Sequence, residues 1–472
     1  MAPAADFPMT AAASILPRPA ASRVPLLWGL SAYVWVLPLH SLLVAFLFGA
    51  LGWSAPLVRS IAAWKEGLIA LLLALAAVRV ATGAGPAMVI RWLDLAVGGL
   101  VAVAFAYLVG AGVWFAAGLP AGAQLYGFRD AAFVTALYFV GRATPEAAES
   151  PRPVQALFLV GVATSAIAIL ERLFVGPDLL VLLGAARYVQ DFLGGVALTT
   201  GNVYGLPDNY WTLIGDHLVR RVGSTYLSAQ GFAIPFLLIV PAATLWVTAA
   251  ARRAWVAAWL GYGVIWSALL LTVTRLTIVA CLVQAALIFA ARRRWGALLA
   301  GGIGAVLVFL ALLAAVPGLA GFVWDTLTWQ SGSSASHLED WQQGLENLLR
   351  YPLGVGLGGT DQNAIRFGVT PFVADNQYLR FAVELGIPGL LLHLAVLAGA
   401  GAAGLSAWRR GGSPPVRDAG LLVAATAMGI ALNGWTAAVL TSMLLAYVFW
   451  WLAGSVVTAT PPLPGDEHPR RV

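Results

Sequence analysis

Arg275 stands among Thr272, Thr274 and Thr277, between two long apolar stretches. The chain has to cross an apolar layer twice between Arg253 and Arg292, which places the turn near Thr272 and Arg275 in the first turn of the returning helix. A guanidinium beside a helix start, where amides are unbonded and the dipole is positive, suits an oxyanion. An arginine that only snorkels to the interface is the alternative. Arg129 and Asp130 pose a second problem, because too few uncharged residues separate Arg129 from Arg142 for a crossing. Their helix therefore begins upstream and carries the pair in its outer third. A charge at the centre of a span costs roughly 2.5–3.5 kcal/mol, so such residues face a bundle interior or a wet cavity. Lys65-Glu66 and Glu171-Arg172 lie similarly within apolar runs, and pairing with other helices is the expected role of all four, since neighbours in sequence do not face each other on a helix.

The stretch from Ser336 to Gly389 is the other concentration of chemistry. Ser336 and Glu339 have capping-box spacing, followed by Leu338, Trp341, Leu345, Leu348 and Leu349 at helical intervals. Asp340, Gln342, Gln343, Glu346 and Asn347 occupy the opposite face, so this is an amphipathic helix that stops near Pro352 and suits a membrane surface or the roof of a cavity. The glycines at 354, 356, 358 and 359 follow no strand, which argues against a dinucleotide site and for a tight, closely approaching loop.

These features sit in a chain that is 60% hydrophobic and 10% charged, with mean hydropathy +0.84, which excludes a soluble domain and implies an all-α polytopic membrane protein. We place about twelve transmembrane helices, at 26–50, 60–78, 94–117, 123–141, 153–172, 228–250, 254–272, 274–291, 296–315, 382–407, 418–436 and 438–457. Residues 24–458 form one transmembrane domain, flanked by disordered cytoplasmic tails at 1–23 and 459–472. Arginines mark every loop on the inner side of this map, so both termini are expected inside. Two long segments, about 173–227 and 316–381, then fall outside, the second containing the amphipathic helix. The net charge of +6 is scattered rather than clustered, which is no nucleic-acid signal. The lone Cys281 excludes an internal disulfide, the five histidines are dispersed, and no Asp-x-Asp motif exists. No metal site and no other cofactor are expected.

Asp375-Asn376 followed by Gly386 and Gly389, with Trp341 and the run from Pro352 to Gly358 upstream, resembles the signature of the O-antigen ligase and polymerase superfamily of bacterial envelope enzymes. The resemblance spans roughly residues 120–400. It implies transfer of a glycan from an undecaprenyl-diphosphate carrier to an acceptor hydroxyl, on the periplasmic face of the bacterial inner membrane. Arg221, before Gly223-Ser224-Thr225, and Arg275 match family arginines near the lipid diphosphate, with Arg220 as the competitor for Arg221 and Arg129 as a further candidate. The diphosphate is already a good leaving group, so the enzyme mainly needs cations where charge accumulates, and arginine binds phosphate bidentately. The family usually has histidine where this chain has Asp375. A carboxylate is a weaker base than histidine, so Asp375 either orients the hydroxyl and accepts its proton late, with His337 in reserve, or merely caps the following helix. Asn376, Tyr378, Trp341 and Glu339 are the expected acceptor or glycan contacts. The histidine replacement favours a repeat-unit polymerase of O-antigen or exopolysaccharide over a ligase acting on lipid A-core. A polysaccharide flippase or other transporter is the non-enzyme rival. Expected partners are the lipid-linked donor and acceptor, the bilayer and a chain-length regulator protein, and no nucleic acid.

Overall fold

The computed structural model describes residues 25–461 except 115–117, 195–204, 215–216, 331 and 375. The tail expected at 1–23 lies outside these residues, as does nearly all of the one at 459–472.

Helices dominate. The chain opens with α1 (Leu26–Ala45), which runs on through a π-helical turn to Ala50, then α2 (Ala55–Ala62), α3 (Trp64–Ala81) and α4 (Trp92–Trp114). A broken crossing follows: α5 (Ala121–Phe128), a π-helical turn at Arg129–Phe133, and α6 (Leu137–Arg142). After α7 (Arg152–Phe174) come the short α8 (Pro177–Leu182) and α9 (Ala185–Arg187). An antiparallel hairpin, β1 (Trp211–Ile214) with β2 (His217–Arg220), pairs Trp211 with Arg220 and Ile214 with His217. This hairpin was not anticipated. Its β-branched and aromatic residues lie in a segment without helical periodicity, where strand preference decides.

The second half contains α10 (Ala229–Ala233), α11 (Phe236–Ala249), α12 (Trp255–Leu271), α13 (Arg275–Ala291), α14 (Trp295–Ala315), α15 (Leu319–Leu327), α16 (Gly332–Arg350), α17 (Asp361–Arg366), α18 (Gln377–Arg410), α19 (Pro414–Asn433) and α20 (Met443–Ala459). Among the described residues, eight helices are long and apolar enough to cross a membrane, and α12, α13 and α20 are shorter apolar helices. The segment expected to cross at 123–141 is the one split by the π-helical turn.

The core is a continuous apolar cluster in which α11 packs against α7, α13 and α19, α18 against α4 and α19, and α20 against α1 and α6. α11 is apolar on every side and buried along most of its length, as a central helix must be. α14 is equally apolar yet buries no residue, so its surface is left for lipid. α6 and α20 touch backbone to backbone, since a Cβ on Gly141 would lie 1.9 Å from the Trp451 carbonyl oxygen.

Two expectations about α16 and the charged spans need correction. The helix begins at Gly332, so Ser336 lies inside it rather than capping it, because no proline or β-branched residue halts the helix between those positions. It stops at Arg350, before Pro352. Lys65 does bond its neighbour: its Nζ lies 3.2 Å from Glu66 Oε1, at the start of α3 where the long lysine stem can fold back. Arg129 and Asp130 pair likewise, because the π-helical turn alters the angle between successive side chains.

Candidate functional site

The hairpin delivers two arginines to different jobs. Arg220 ends β2 and donates to the Glu171 and Val175 carbonyl oxygens at 3.0 and 2.6 Å, closing the C-terminal end of α7. Arg221 turns the other way. Its Nε donates to the Thr272 carbonyl oxygen at 2.7 Å and its Nη2 to Thr274 Oγ1 at 2.9 Å. Burial, and then repulsion from Arg275, pulls the Arg221 guanidinium down to about 10. Thr274, which accepts from Arg221, directly precedes Arg275, so the structure sets both arginines at one turn. Arg275 itself donates to Thr326 Oγ1 and lies over the Phe322 ring at 5.0 Å.

Backbone strain surrounds this pair. Val273 has φ +50°, an outlying conformation for a β-branched residue, and Ser224 and Leu227 have φ +48° and +54°. Such conformations cost of order 1–3 kcal/mol each and persist only where the surroundings impose them. Glu171 is one such constraint: its carboxylate accepts from Ser224 N at 2.6 Å and Gly223 N at 3.3 Å, fixing the turn that follows Arg221. Thr274, at the N-cap of α13, makes no side-chain cap bond. Two guanidinium groups beside an uncapped helix start form an arrangement able to hold a phosphate or diphosphate.

The same turn leads into a cavity of about 520 Å³, whose lining includes Tyr226, Ser228, Asn209, Arg129, Arg366 and Arg380. Arg129 is placed here rather than beside Arg221. Its Nη2 lies 2.6 Å from Asp130 Oδ1, and the other Asp130 oxygen accepts from Arg380 Nη2 at 2.9 Å. Glu66 approaches Arg129 at 3.5 Å, and Glu384 lies 3.8 Å from Arg380 while accepting from Thr360 at 2.5 Å. A ladder of alternating charges thus ties α3, the broken crossing and α18 together. Arg366 and Arg129 both lie over the Tyr126 ring, at 4.7 and 4.6 Å. A second cavity, of about 660 Å³, is lined largely by apolar side chains of α1 and α7 near Glu146. It gathers none of the predicted site residues.

The glycine loop and the signature glycines of α18 lock to each other. Val355 N donates to the Val383 carbonyl oxygen at 2.8 Å, Gly356 N to Glu384 O at 3.1 Å and Ile387 N to Pro352 O at 2.9 Å. Helix α18 is interrupted at Gly386, with φ +67°, and a Cβ there would lie 2.5 Å from the Pro352 oxygen. On the loop's other side, a Cβ on Gly127 would lie 2.2 Å from Gly358 N. The loop is therefore wedged between α5 and α18, and it fixes where Arg380 and Glu384 stand.

The remaining predicted residues divide. Asp375 lies outside the described residues. Asn376 was expected to contact glycan, but its Oδ1 accepts from Leu379 N at 2.7 Å as the N-cap of α18, and it is 2% exposed. Tyr378 donates to the Ala431 oxygen at 2.7 Å and packs on Trp435, which also contacts Trp341 at 6.0 Å. His337 is half-buried and Glu339 exposed on α16, and neither lines the cavity. The sequence reading missed Arg366, Arg380 and Glu384. The signal for the last two was an Arg-x-x-x-Glu pair inside an otherwise apolar helix. Among the described residues, no three His, Cys, Asp or Glu side chains are grouped to hold a metal.

Fold and site together define the class, an all-α polytopic membrane protein with arginines gathered beside a strained turn at one end. Residues 237–394 match the family model described as O-antigen ligase, and that match supports the O-antigen ligase and polymerase superfamily. The matched span includes Arg275, His337 and Asp375 but not Arg221 or Arg129. A search of curated proteins gave no match.

Proposed function

We propose that this chain is a glycosyltransferase that polymerises undecaprenyl-diphosphate-linked repeat units of O-antigen or exopolysaccharide without a metal, at the periplasmic face of a bacterial inner membrane. The observation that carries the reading is the meeting of Arg221 and Arg275 beside Val273, with the uncapped start of α13 at the same point. An acceptor hydroxyl attacks the sugar carbon bonded to the carrier, that carbon–oxygen bond breaks, and the electron pair leaves with the diphosphate. Arg221, oriented by Thr272 and Thr274, and Arg275, held by Thr326, then stabilise the charge as it grows. Asp375 takes the hydroxyl proton, with His337 in reserve. On this reading about twelve crossings place both termini in the cytoplasm, and a chain-length regulator is an expected partner.

Purified protein supplied with lipid-linked repeat units and chelator should yield polymer, and a deletion strain should retain single repeats while losing long glycan. Asp375→Asn should fold and be severely impaired, because asparagine cannot take a proton; full activity would remove Asp375 from the mechanism. The matching family's description, O-antigen ligase, favours a second reading in which finished glycan is joined to lipid A-core. Loss of glycan attachment with polymer still present on its carrier would select that reading.

A further inference from the structure

The cavity beside α5 and α17 has unmet polar groups that packing does not explain. Among the described residues, Arg366 Nε, Asn209 Oδ1 and Tyr226 OH are each buried without a hydrogen-bond partner, and all three residues line that one space. A buried donor or acceptor left unpaired costs about 1–3 kcal/mol, so groups of this kind converging on one cavity call for an occupant. Their chemistry is complementary: a cationic donor, an amide acceptor and a hydroxyl that can do either.

The local charge is also one-sided. Arg366 has no carboxylate within ion-pair reach among the described residues, and lies instead over Tyr126 at 4.7 Å and Phe192 at 5.3 Å. Arg59 stands over the same Phe192 ring at 5.6 Å. Burial, offset in part by Tyr126, and the Arg59 and Arg129 cations pull the Arg366 guanidinium below the ordinary arginine value. Asp130, the carboxylate in the cavity wall, is held between Arg129 and Arg380. The space, about 520 Å³, falls in the range of small-ligand pockets, and Ser41, Tyr188, Ser228 and Gln230 add hydroxyl and amide groups to its lining.

We propose that this cavity is a subsite for an acidic sugar of the glycan, whose carboxylate pairs with Arg366 while its ring hydroxyls meet Asn209 and Tyr226. This rests on the glycosyltransferase reading and names its substrate class, a repeat unit carrying a carboxylate. It concerns the sugar rather than the carrier diphosphate, which belongs to Arg221 and Arg275. A neutral sugar would leave the Arg366 cation buried and uncompensated, so the subsite selects for charge.

Saturation-transfer NMR on the purified full-length protein in detergent tests this with methyl β-glucuronide, methyl β-glucoside and inorganic diphosphate. The glucuronide should bind roughly tenfold more tightly than the glucoside, the scale of one charge-assisted pair. Arg366→Gln should erase that preference and Arg366→Lys should keep part of it, while Arg221→Ala leaves it intact. Should Arg366→Gln fail to fold, Asn209→Ala carries the test, and it should weaken both sugars. Equal binding of the two sugars, binding of neither, or a preference that survives Arg366→Gln overturns the proposal. So does displacement of the glucuronide by diphosphate, which would make the cavity a phosphate site. Glucuronide selectivity in a protein that turns over no lipid-linked donor would sink the polymerase reading and leave the subsite standing.

Discussion

Arg142 at one end of the molecule and Arg221 and Arg366 at the other are used in opposite ways. Where α6 and α20 finish, Arg142 is 2% exposed and fully committed, donating to Asp94 at 2.8 and 3.0 Å, to Thr458 Oγ1 at 2.6 Å and to the Val89 oxygen at 2.6 Å. Tyr138 donates to the same carboxylate at 2.6 Å. Arg79 pairs with Glu146 at 2.5 Å, and Arg292 with Asp418, at that same end. At the other end Arg221 and Arg366 are substantially buried, yet no carboxylate faces either of them among the described residues. A buried cation is expensive unless compensated. The first end compensates from within the protein, as a structural clasp does. The second compensates Arg129 and Arg380 from within, through Asp130 and Glu384, but leaves Arg221 and Arg366 to something that binds.

That contrast has a large measurable consequence. Arg142→Ala would leave the half-buried Asp94 without its guanidinium partner, and should cost about 3–5 kcal/mol in detergent-solubilised unfolding. Arg366→Gln removes a cation with no carboxylate to strand among the described residues, so its stability should stay within about 1 kcal/mol of the parent. An Arg142→Ala protein as stable as the Arg366→Gln protein would break the comparison.

Activity should run the other way. Arg275→Lys retains charge but loses the planar fork, and polymer formation from lipid-linked repeats should fall by about 10²-fold at unchanged protein level. A mild loss would mean that Arg275 serves packing against Phe322 rather than the leaving group.

Much of this was legible in the sequence, and the failures have physical causes. The apolar runs fixed the helices, because in lipid the backbone has few other ways to bond. The turn near Thr272 followed from the arginines on either side of it. Glu66 reaches Arg129 on another helix as expected, but Lys65 escaped correct pairing because at a helix start its long stem can fold back to its neighbour. Arg366 was invisible because its significance lies in the carboxylate it lacks among the described residues, and a sequence does not display absent contacts. The hairpin that turns Arg220 and Arg221 to different neighbours depends on register, which short strands specify only once packed.

The joint between the glycine loop and α18 lets the comparison be sharpened without touching a charge. Gly386→Ala would force an L side chain into φ +67° with its Cβ 2.5 Å from the Pro352 oxygen. The strain should cost about 1–3 kcal/mol and displace Glu384 and Arg380, so stability and activity should fall together. A loss of activity at parental melting temperature would show that the loop acts on substrate directly instead of positioning the ladder.

The smallest effect separates two adjacent residues. Asn376 caps α18, and Asn376→Ala should cost about 1 kcal/mol, the usual value of an N-cap side chain. The loss should not be larger, because the helix start has other tethers: Gln377 N donates to the Gly434 oxygen at 2.9 Å, and Leu440 N donates to Gln377 Oε1 at 2.9 Å. Asn376→Asp should restore the cap and with it the melting temperature. Since the cap position is already filled by Asn376, Asp375→Ala should leave the melting temperature where it was while reducing polymer formation. If instead Asp375→Ala destabilises as much as Asn376→Ala and Asn376→Asp rescues nothing, the two side chains share one structural task, and the proton acceptor has to be sought at His337.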